Sequence, residues 1–281
     1  MTENSKTYPV EVMCQVLEVS KSGYYAQGKD GKSPRAEKRQ RLVERMWSIH
    51  EKKHGTYGSP RMYRELRAEG EQIGENTISR WMKAAGIRAR RRRRWVPKTT
   101  ETKPGDLIVE NRLQQDFKTQ RANEKWVSDI TYVWTEEGWL YLAAVMDLYS
   151  RKVVGWSMGT DLKTELVKKA LEMALKQRNP KRGLLHHSDR GTQYASREYE
   201  ALTKAYGIER SMSRSGNCYD NAAMESFFST LKTECVNDRK YATREECRRS
   251  IFEYIEVFYN RQRRHSAIGY ISPEEYENLC N

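Results

Sequence analysis

The segment of residues 184–232 decides the fold, and it contains two motifs: LLHHSDRGTQY at residues 184–194 and GNCYDNAAMESFFSTLK at residues 216–232. In the first motif, two leucines lead into a polar cluster that includes Asp189, a pattern typical of a buried strand that ends at an acid. In the second motif, no Gly or Pro interrupts the later residues, and apolar side chains recur at helical spacing at Met224, Phe227, Phe228 and Leu231. We therefore predict a strand that ends at Asp189 and a helix that displays Glu225 along its polar edge.

Strand patterns precede this segment and supply the first part of a sheet. Residues 126–134, WVSDITYVW, alternate and are rich in aromatic and β-branched residues, so Asp129 shares one face of the strand with Val127, Thr131 and Val133. Residues 139–147 form a nearly continuous apolar run, which is typical of a central strand covered on both faces. Residues 152–158 predict a third strand after a short turn. We expect these three strands to form a meander.

Helices and strands then alternate toward the C-terminus. Residues 162–177 show helical periodicity, and the strand that ends at Asp189 follows. A helix at residues 196–206, a brief strand at Ile208 and the Glu225 helix come next. This order of elements is that of the ribonuclease-H-like α/β fold with a mixed five-stranded sheet, as in an integrase core. In that fold the first and fourth strands lie side by side and parallel.

This topology brings three acidic residues together. Asp129 on the first strand and Asp189 at the end of the fourth become neighbours, and the helix edge with Glu225 can close over them. Clustered carboxylates raise one another's pKa values unless cations lie between them. Two hard divalent ions, about 3.5 to 4 Å apart, would activate an attacking oxygen and stabilise the leaving oxygen of a phosphodiester. Each acid alone is more often a surface residue or a cap, so the prediction rests on their convergence.

Positive charge is concentrated in the first third of the chain. Residues 1–100 contain 23 Lys and Arg against 11 Asp and Glu, whereas residues 101–281 contain 28 against 27. This asymmetry indicates a basic module that binds a polyanion, joined to a nearly neutral module with another task. Solvated helix faces explain most of these residues, but an arginine run is costly unless phosphates neutralise it. The candidate phosphate contacts in that run are Arg88, Arg90, Arg91, Arg92, Arg93 and Arg94.

Three helices are predicted before residue 90, at residues 36–53, 59–70 and about 75–85. Two short helices separated by a tight turn inside a basic segment predict a helix-turn-helix. Residues 75–85 are the expected DNA-recognition helix, and they carry Ser79 and Arg80. Small three-helix units also serve as plain interaction domains, but the charge asymmetry favours DNA binding.

The remaining patterns exclude several classes of protein. Five cysteines occur without paired spacing, so neither a disulfide framework nor a zinc knuckle is expected, and a reducing cytoplasm fits. No apolar run is long enough to span a membrane and no cleavable signal is present, so we expect a soluble intracellular protein. Residues 10–25 predict a further short helix, turn and helix, and residues 28–34 and 99–105 have the composition of linkers.

Taken together, the motifs resemble those of one family. The sequences WxxDITY around Asp129, HSDRGxQY around Asp189 and DNAxxESFF around Glu225 are similar to the acidic motifs of insertion-sequence transposases of the IS-three family, relatives of retroviral integrases. Between the last two acids lie 35 residues, and Lys232 matches the basic residue of the family seven positions after Glu225. The sequence at residues 259–276, YNRQRRHSAIGYISPEEY, is another family signature. The N-terminal sequences CQVLEVSKSGYY and YGSPRMYREL also match, so the resemblance covers nearly the whole chain.

The resemblance implies a DNA transposase. Such an enzyme cleaves the 3′ end of its element, transfers the freed hydroxyl to the other end, and makes a circular intermediate that later inserts into target DNA. The resemblance further implies that Asp129 bridges two Mg²⁺ ions, for which Mn²⁺ can substitute, while Asp189 and Glu225 hold one each. The residues implied to contact phosphate or position substrate are Lys232, His187 and Asn221. A histidine beside a strand end is also typical of a structural hydrogen-bond donor.

The same resemblance sets the expected partners and domains. Double-stranded DNA is expected as both inverted-repeat ends and target, bound by at least a dimer of the chain in the nucleoid of a bacterial cytoplasm. Family members are commonly fused to a first-frame protein with a leucine zipper; because no sustained heptads occur here, a separate first-frame partner could supply end recognition or dimerisation. The expected division is residues 1–34 for a helix-turn-helix-like segment and linker, 35–98 for a helix-turn-helix domain with a basic arm, 99–122 for a linker, 123–240 for the catalytic core and 241–281 for a C-terminal helical extension.

Two other classes of protein share part of this pattern. A ribonuclease H or a junction resolvase shares the carboxylate chemistry but has no need of a helix-turn-helix head. A DNA-binding regulator shares the head but not the three acids. Strand transfer with labelled inverted-repeat DNA would separate a transposase from an enzyme that only hydrolyses.

Overall fold

The computed structural model of this 281-residue chain describes residue 1 and residues 3–27, 33–90, 107–215 and 217–280. Two short helices, α1 (Val10–Val16) and α2 (Lys21–Gln27), lie where the N-terminal pattern predicts helix, turn and helix. The predicted linker at residues 99–105 lies outside the described residues, as do most residues of the predicted linker at 28–34.

Three helices form the basic head of the chain. Helices α3 (Pro34–Lys52), α4 (Ser59–Ala68) and α5 (Glu75–Ala84) begin and end within about two residues of the predicted bounds. Their apolar positions recur every three or four residues, so each helix turns one stripe inward. The side chains that meet inside the head are nearly inaccessible to solvent: Leu42, Met46, Ile49, Met62, Leu66, Ile78 and Met82.

A mixed five-stranded sheet forms the centre of the second part of the chain. Its strands are β1 (Lys125–Thr135), β2 (Gly138–Asp147), β3 (Val153–Gly159), β4 (Leu185–Ser188) and β5 (Glu209–Met212). They lie in the order β3, β2, β1, β4, β5. Strands β1 to β3 are antiparallel neighbours, whereas β4 is parallel to both β1 and β5. The predicted meander and the predicted parallel contact between the first and fourth strands are both confirmed.

Two helices cover one face of this sheet. Helix α6 (Thr164–Arg178) packs on β2 and β3, and helix α7 (Arg197–Ala205) packs beside α6 and contacts β5. Gly155 on β3 allows α6 to approach closely, because a Cβ at that position would lie 2.2 Å from the backbone oxygen of Ala170. Any side chain there would force the helix away from the sheet.

The other face is covered by the helix that carries Glu225 and by the C-terminal extension. Helix α8 (Ala222–Leu231) continues into a wide helical turn at Lys232–Val236. Helix α9 (Arg244–Phe252) likewise continues into a wide turn at Glu253–Tyr259, and α10 (Pro273–Cys280) ends the described chain. Because helices pack on both faces, β2 is buried along nearly all of its length, as its apolar sequence predicts.

The head is joined to the part of the chain that contains the sheet through a cluster that we call the Glu234 junction. Its members are Arg61, Glu234, Tyr254 and Arg263. The two Glu234 carboxylate oxygens each accept a hydrogen bond of 2.7 Å from the Arg263 guanidinium, and one also accepts a bond of 2.8 Å from the Tyr254 hydroxyl. Arg61, on α4 of the head, completes the cluster: its guanidinium nitrogen lies 3.5 Å from one carboxylate oxygen of Glu234. Glu234 follows the Glu225 helix directly, so the head contacts the end of that helix.

A second set of contacts strengthens this attachment. The fully buried Tyr57 hydroxyl accepts a hydrogen bond of 3.0 Å from the Arg264 backbone N–H and donates one of 3.2 Å to the Gln262 carbonyl. Arg264 also forms an ion pair with Glu65 of α4. Side chains of the head and of the core belong to one continuous apolar cluster. The head is therefore packed against the C-terminal extension along a broad surface.

Two expectations about the class of protein can be compared with the described residues. Cys14, Cys235 and Cys247 are buried free thiols, in agreement with a sequence that lacks a disulfide framework. Within the described ranges, no helix combines the length and the apolar character that crossing a bilayer requires.

Candidate active site

The register of two parallel strands places Asp129 and Asp189 level with each other. Val127 of β1 pairs with His187 of β4. Each acid lies two residues beyond its member of this pair, so both carboxyls extend from the same end of the strand pair. Together with Gly191, the two acids line one cavity of about 310 Å³.

The two carboxyls are held in different ways. One oxygen of Asp129 accepts a hydrogen bond of 2.7 Å from the Ile130 backbone N–H. One oxygen of Asp189 accepts a bond of 3.0 Å from the Gly191 N–H. A Cβ at position 191 would lie 3.1 Å from that oxygen and 3.0 Å from the Gln193 side-chain oxygen. Glycine at this position therefore leaves room for the Asp189 carboxylate.

The surroundings of Asp129 disfavour its charged form. Burial raises the pKa of its carboxyl well above the usual value, and the negative charges of Asp189 and Glu225 raise it further. The hydrogen bond from Ile130 and the positive charge of Lys232 oppose this shift but do not cancel it. A cation beside the pair would stabilise the charged form of Asp129.

Glu225 lies close enough for its charge to affect Asp129. The side chain is exposed on the first turn of α8, and its charge contributes to the raised pKa of Asp129. Across the described parts of the chain, no three His, Cys, Asp or Glu side chains approach closely enough to hold a metal ion. The fold thus forms an acidic pair, and the charge of Glu225 acts on it from α8.

The donor set suits hard divalent cations. Carboxylate oxygens are the ligands that Mg²⁺ and Mn²⁺ prefer, and neither a thiol nor an imidazole is among the lining residues of the cavity. Burial and the charges of the other two acids raise the pKa of Asp129, and a bound cation would favour its charged form. The residues therefore fit a magnesium site with respect to their chemistry.

Comparison with known proteins identifies the family. Residues 119–218 and 225–279 match integrase core domains, and residues 37–95 match an HTH-like domain. The chain is 42% identical over 273 residues to transposase InsF for insertion sequence IS3A of Escherichia coli strain K12, covering 96% of this chain and 94% of that protein. The chain belongs to the IS3 family of transposases. It is therefore a DDE polynucleotidyl transferase of DNA transposition, with an integrase core of ribonuclease-H-like fold.

Other relatives of this transposase extend over similar lengths. A 31 kDa protein of insertion element IS600 from Shigella sonnei is 43% identical over 272 residues, which are 95% of this chain and all of that protein. Among solved structures, a chain of a simian T-cell lymphotropic virus intasome aligns with 82% of the transposase and 73% of its own length, at 13% identity and a TM-score of 0.48. The HTLV-2 integrase catalytic core in complex with magnesium aligns with 57% of the transposase and 99% of its own length, at 14% identity and a TM-score of 0.45.

Lys232 of the transposase lies at the start of the wide turn that follows α8. Its ammonium is 5.2 Å from the centroid of the Tyr132 ring, and Tyr132 lines the cavity that holds the acidic pair. Burial lowers the pKa of Lys232, while the negative charge of Asp129 opposes that shift. The cation is thus half-buried beside the acids, where a bound phosphate would come within its reach.

We expect Lys232→Ala to weaken binding of a cleaved DNA end by about five- to tenfold, because one charged phosphate contact is lost beside the acids. Strand transfer should fall by at least the same factor, whereas binding of Mn²⁺ should change little. Titration of a labelled precleaved duplex and of Mn²⁺ would measure the two effects. Lys169→Ala, which removes an exposed cation on α6, is the matched control. Unchanged end affinity and unchanged rate in Lys232→Ala would show a solvated side chain without a DNA contact.

His187 and Asn221 do not lie where a phosphate contact would require. His187 is completely buried, and its two ring nitrogens are hydrogen-bonded to Ser211 at 2.8 Å and Ser213 at 3.1 Å. Burial lowers its pKa to about 4, so the ring is neutral near pH 7. Asn221 is also buried and donates a bond of 3.0 Å to the Ser128 carbonyl, which ties the start of α8 to β1. The suggested phosphate contacts are corrected: His187 is held by two serine hydroxyls, and Asn221 braces the start of α8 against β1.

The predicted DNA contacts of the head fall into three groups. Ser79 and Arg80 are exposed on α5, and Arg88 is exposed after it, as DNA contacts require. Arg90 is different, because it donates a hydrogen bond of 2.8 Å to the Glu234 carbonyl and forms an ion pair of 3.7 Å with Asp238. The suggested phosphate contact of Arg90 is therefore corrected to a contact between head and core. Residues 91–94, the other arginines of the run, lie outside the described residues.

Sequence reasoning missed a buried clamp before α8. The Asp220 carboxylate is inaccessible and accepts bonds of 2.8 to 3.1 Å from the backbone and guanidinium of Arg214, and one of 2.9 Å from Gln115. The hydrogen bonds from Arg214 hold the pKa of Asp220 well below its usual range. The clamp fixes the loop that leads from β5 to α8. The available signal in the sequence was Asp220 itself, a charged residue directly before the predicted helix.

Proposed function

We propose that this transposase cleaves the 3′ ends of its insertion element and joins the freed hydroxyls to DNA, with Asp129, Asp189 and Glu225 as its catalytic carboxylates. The observation that carries the proposal is the acidic pair: two carboxyls level across parallel strands, in one cavity, with the pKa of Asp129 raised by burial and by the other two acids. Such perturbed acids in a cavity are typical of a functional site.

The three carboxylates would hold two Mg²⁺ ions, for which Mn²⁺ can substitute, and the ions supply Lewis acidity for phosphodiester chemistry. Asp129 would contribute the carboxylate whose pKa is raised by both other acids. Asp189 would contribute an oxygen that the Gly191 N–H orients. Glu225 would contribute from α8, whose start is tied to β1 by Asn221. Lys232 holds the phosphate beside the acids.

A second part of the proposal concerns the order of products. The freed hydroxyl at one end attacks the other end of the element, which gives a circular intermediate that later inserts into target DNA. A chain that only hydrolysed DNA would leave the freed hydroxyl unused. Both ends must therefore be held in one complex, which requires at least two copies of the chain or a copy with a first-frame partner protein.

One assay tests this function directly. The purified chain is incubated with Mg²⁺ and a labelled duplex that carries the inverted repeat flanking its coding sequence. Strand transfer gives labelled products longer than the substrate, whereas a nuclease gives only shorter ones. We expect both kinds of product, and cleavage without any longer product would contradict the proposed transfer.

The head is proposed to bind the inverted-repeat ends, within a division of the chain at residues 1–34, 35–98, 99–122, 123–240 and 241–281. Its helices α4 and α5 lie in a segment that matches an HTH-like domain, and α5 displays Ser79 and Arg80 to solvent. Arg88 and the arginines at residues 91–94 would add phosphate contacts. Since its substrate is DNA, we propose that the protein works on the bacterial nucleoid.

Salt titration separates these two kinds of contact. Replacing the four arginines at residues 91–94 with alanine should reduce the slope of log affinity against log salt by about three units, because each phosphate contact contributes about 0.9. Binding to the inverted repeat and to random duplex should weaken alike. Arg80→Ala should instead reduce the preference for the inverted repeat. Arg249→Ala, on exposed α9, is the control that should change neither. An unchanged slope in the fourfold variant would remove the arginine run from the DNA contacts.

A further inference from the structure

Four aromatic side chains form a ladder on one face of the hairpin made by β1 and β2: Tyr132, Trp134, Trp139 and Tyr141. Directly opposite residues in the register pair Trp134 with Trp139 and Tyr132 with Tyr141. The ring centroids lie 4.8 Å apart for the two tryptophans, 4.9 Å for Tyr132 and Trp139, and 6.3 Å for the two tyrosines. We call this set the aromatic ladder.

The aromatic ladder connects the acidic pair to a neighbouring cavity. Tyr132 and Trp139 line the cavity of the acidic pair and also a second cavity of about 450 Å³. The second cavity is lined by Trp134 and by three cations against one acid, Glu136: Lys232, Arg239 and Lys240. The two cavities therefore share an aromatic wall, and the second one has an excess of positive charge.

The two tryptophans of the aromatic ladder are not core residues. Trp134 is 58% exposed and Trp139 is 41% exposed, so two large indole surfaces stand in water side by side. Single exposed aromatic residues are common, but adjoining ones beside cations are typical of surfaces that bind a partner. Aromatic faces stack on nucleobases of any sequence, and the cations next to them bind the phosphates. The chemistry of this surface fits an unpaired strand of DNA.

We propose that the aromatic ladder and its cations form a binding site for unpaired nucleotides beside the phosphate that reacts. The planes of the two indoles lie at 75° to each other, so a base turned out of the duplex would stack on the face of one of them, Trp134 or Trp139, with its phosphates near Lys232, Arg239 and Lys240. The site lies next to the acidic pair, so the strand it holds would be the one adjoining the reacting phosphate. This inference rests on the proposed function, because it takes the acidic pair as the place of reaction.

A duplex could not use the indole faces, since its bases are already stacked on one another. Stacking therefore predicts a preference for unpaired DNA that depends on aromatic rings and not on apolar volume. Two other roles make different predictions. A hairpin stabilised by cross-strand contacts needs the rings for folding only. A contact with a second copy of the chain needs them for oligomer formation.

The test uses the full chain and a fluorescein-labelled oligothymidine of ten nucleotides, with a labelled duplex of the same length for comparison. Replacing both Trp134 and Trp139 with leucine should weaken oligothymidine binding about tenfold and leave duplex binding within about twofold. Replacing both with phenylalanine keeps aromatic faces and should retain most of the affinity. Trp47→Leu removes a tryptophan that is 39% exposed on the head and is the control of the same residue type.

Each other outcome overturns the proposal. Oligothymidine affinity that is unchanged in the leucine variant removes the stacking, and an equal loss in the leucine and phenylalanine variants shows that packing matters instead of aromatic faces. Thermal unfolding and sedimentation are measured on all variants. A loss of affinity that follows a lower melting temperature or a changed oligomeric state in the leucine variant assigns the rings to folding or to a subunit contact.

Reaction assays distinguish the source of the strand. If the site holds the element end, the leucine variant should cleave intact ends poorly but join precleaved ends normally. If it holds target DNA, cleavage should be normal and joining should fall. A normal rate in both steps overturns the placement beside the reacting phosphate. The proposed function and the nucleotide site are contradicted by different results. If variants of the acidic residues remain active while the leucine variant loses oligothymidine affinity, the proposed function is wrong and the nucleotide site stands.

Discussion

Asp129→Asn, Asp189→Asn and Glu225→Gln are each expected to reduce cleavage and joining by at least about a thousandfold while leaving DNA affinity nearly intact. Each amide keeps the shape of the side chain but loses the charge that would hold a metal ion, and metal-assisted stabilisation is worth several kcal/mol. The measurement is the rate of cleavage and strand transfer with labelled ends in Mg²⁺, together with duplex affinity for every variant.

Folding is checked independently of activity in the same variants. Asp129→Asn removes a half-buried carboxyl whose pKa is raised by its surroundings and by two neighbouring acids, so its melting temperature should not fall. Binding of Mn²⁺ should be lost in that variant. Glu245→Gln, which neutralises an exposed acid on α9, is the control that should retain full activity. Near-normal strand transfer by any one acidic variant would remove that residue from the catalytic set.

Glu234→Met is expected to lower the free energy of unfolding by about 3–5 kcal/mol, because it leaves the Arg263 charge buried without a partner. Arg263 is 4% exposed and Glu234 is 8% exposed, so water cannot replace the lost bonds without opening the Glu234 junction. Tyr254 would lose the acceptor of its hydroxyl as well. Urea unfolding of both proteins at pH 7 would measure the loss.

A double-mutant cycle shows whether this loss comes from the pair. Replacing both Glu234 and Arg263 with methionine should cost clearly less than the sum of the single replacements, since neither charge is then left alone. The exposed pair of Glu245 and Arg249 on α9 is the matched control, for which each replacement should cost less than about 1 kcal/mol. A cost below that limit for Glu234→Met would show that the junction adds little stability.

The sheet and the acidic pair could be predicted because their signals are local. Alternation around Asp129 and the apolar run of β2 define strands within ten residues or so, and the order of elements then places β1 beside β4. The register of β1 and β4 alone then places Asp129 and Asp189 side by side. Helical periodicity in the head gave bounds close to those observed for the same physical reason.

Contacts between distant parts of the chain left no such signal. Arg90 lies in a run of arginines, and only the packing of the head against residue 234 shows that it binds a carbonyl. His187 lies in a motif rich in polar residues, yet β5 covers it with two serines. The exposure of Trp134 and Trp139 is decided by how the rest of the chain packs around the hairpin. Their local sequence indicates only a strand. Periodicity describes which face is apolar, but not which partner it meets.

The Glu234 junction also has a consequence for the DNA, because it holds the head at one position relative to the acids. The head and the acids are parts of one packed body in the described chain. If α5 reads the bases and the acids cut the phosphate within the same copy of the chain, the distance between those bases and that phosphate is fixed. Duplex DNA turns once in about 10 base pairs. An element whose terminus grew by half a turn would present its recognition bases on the far side of the helix while its cleavage point stayed at the acids. We therefore expect the protein to set the number of base pairs between the recognised bases and the cut phosphate.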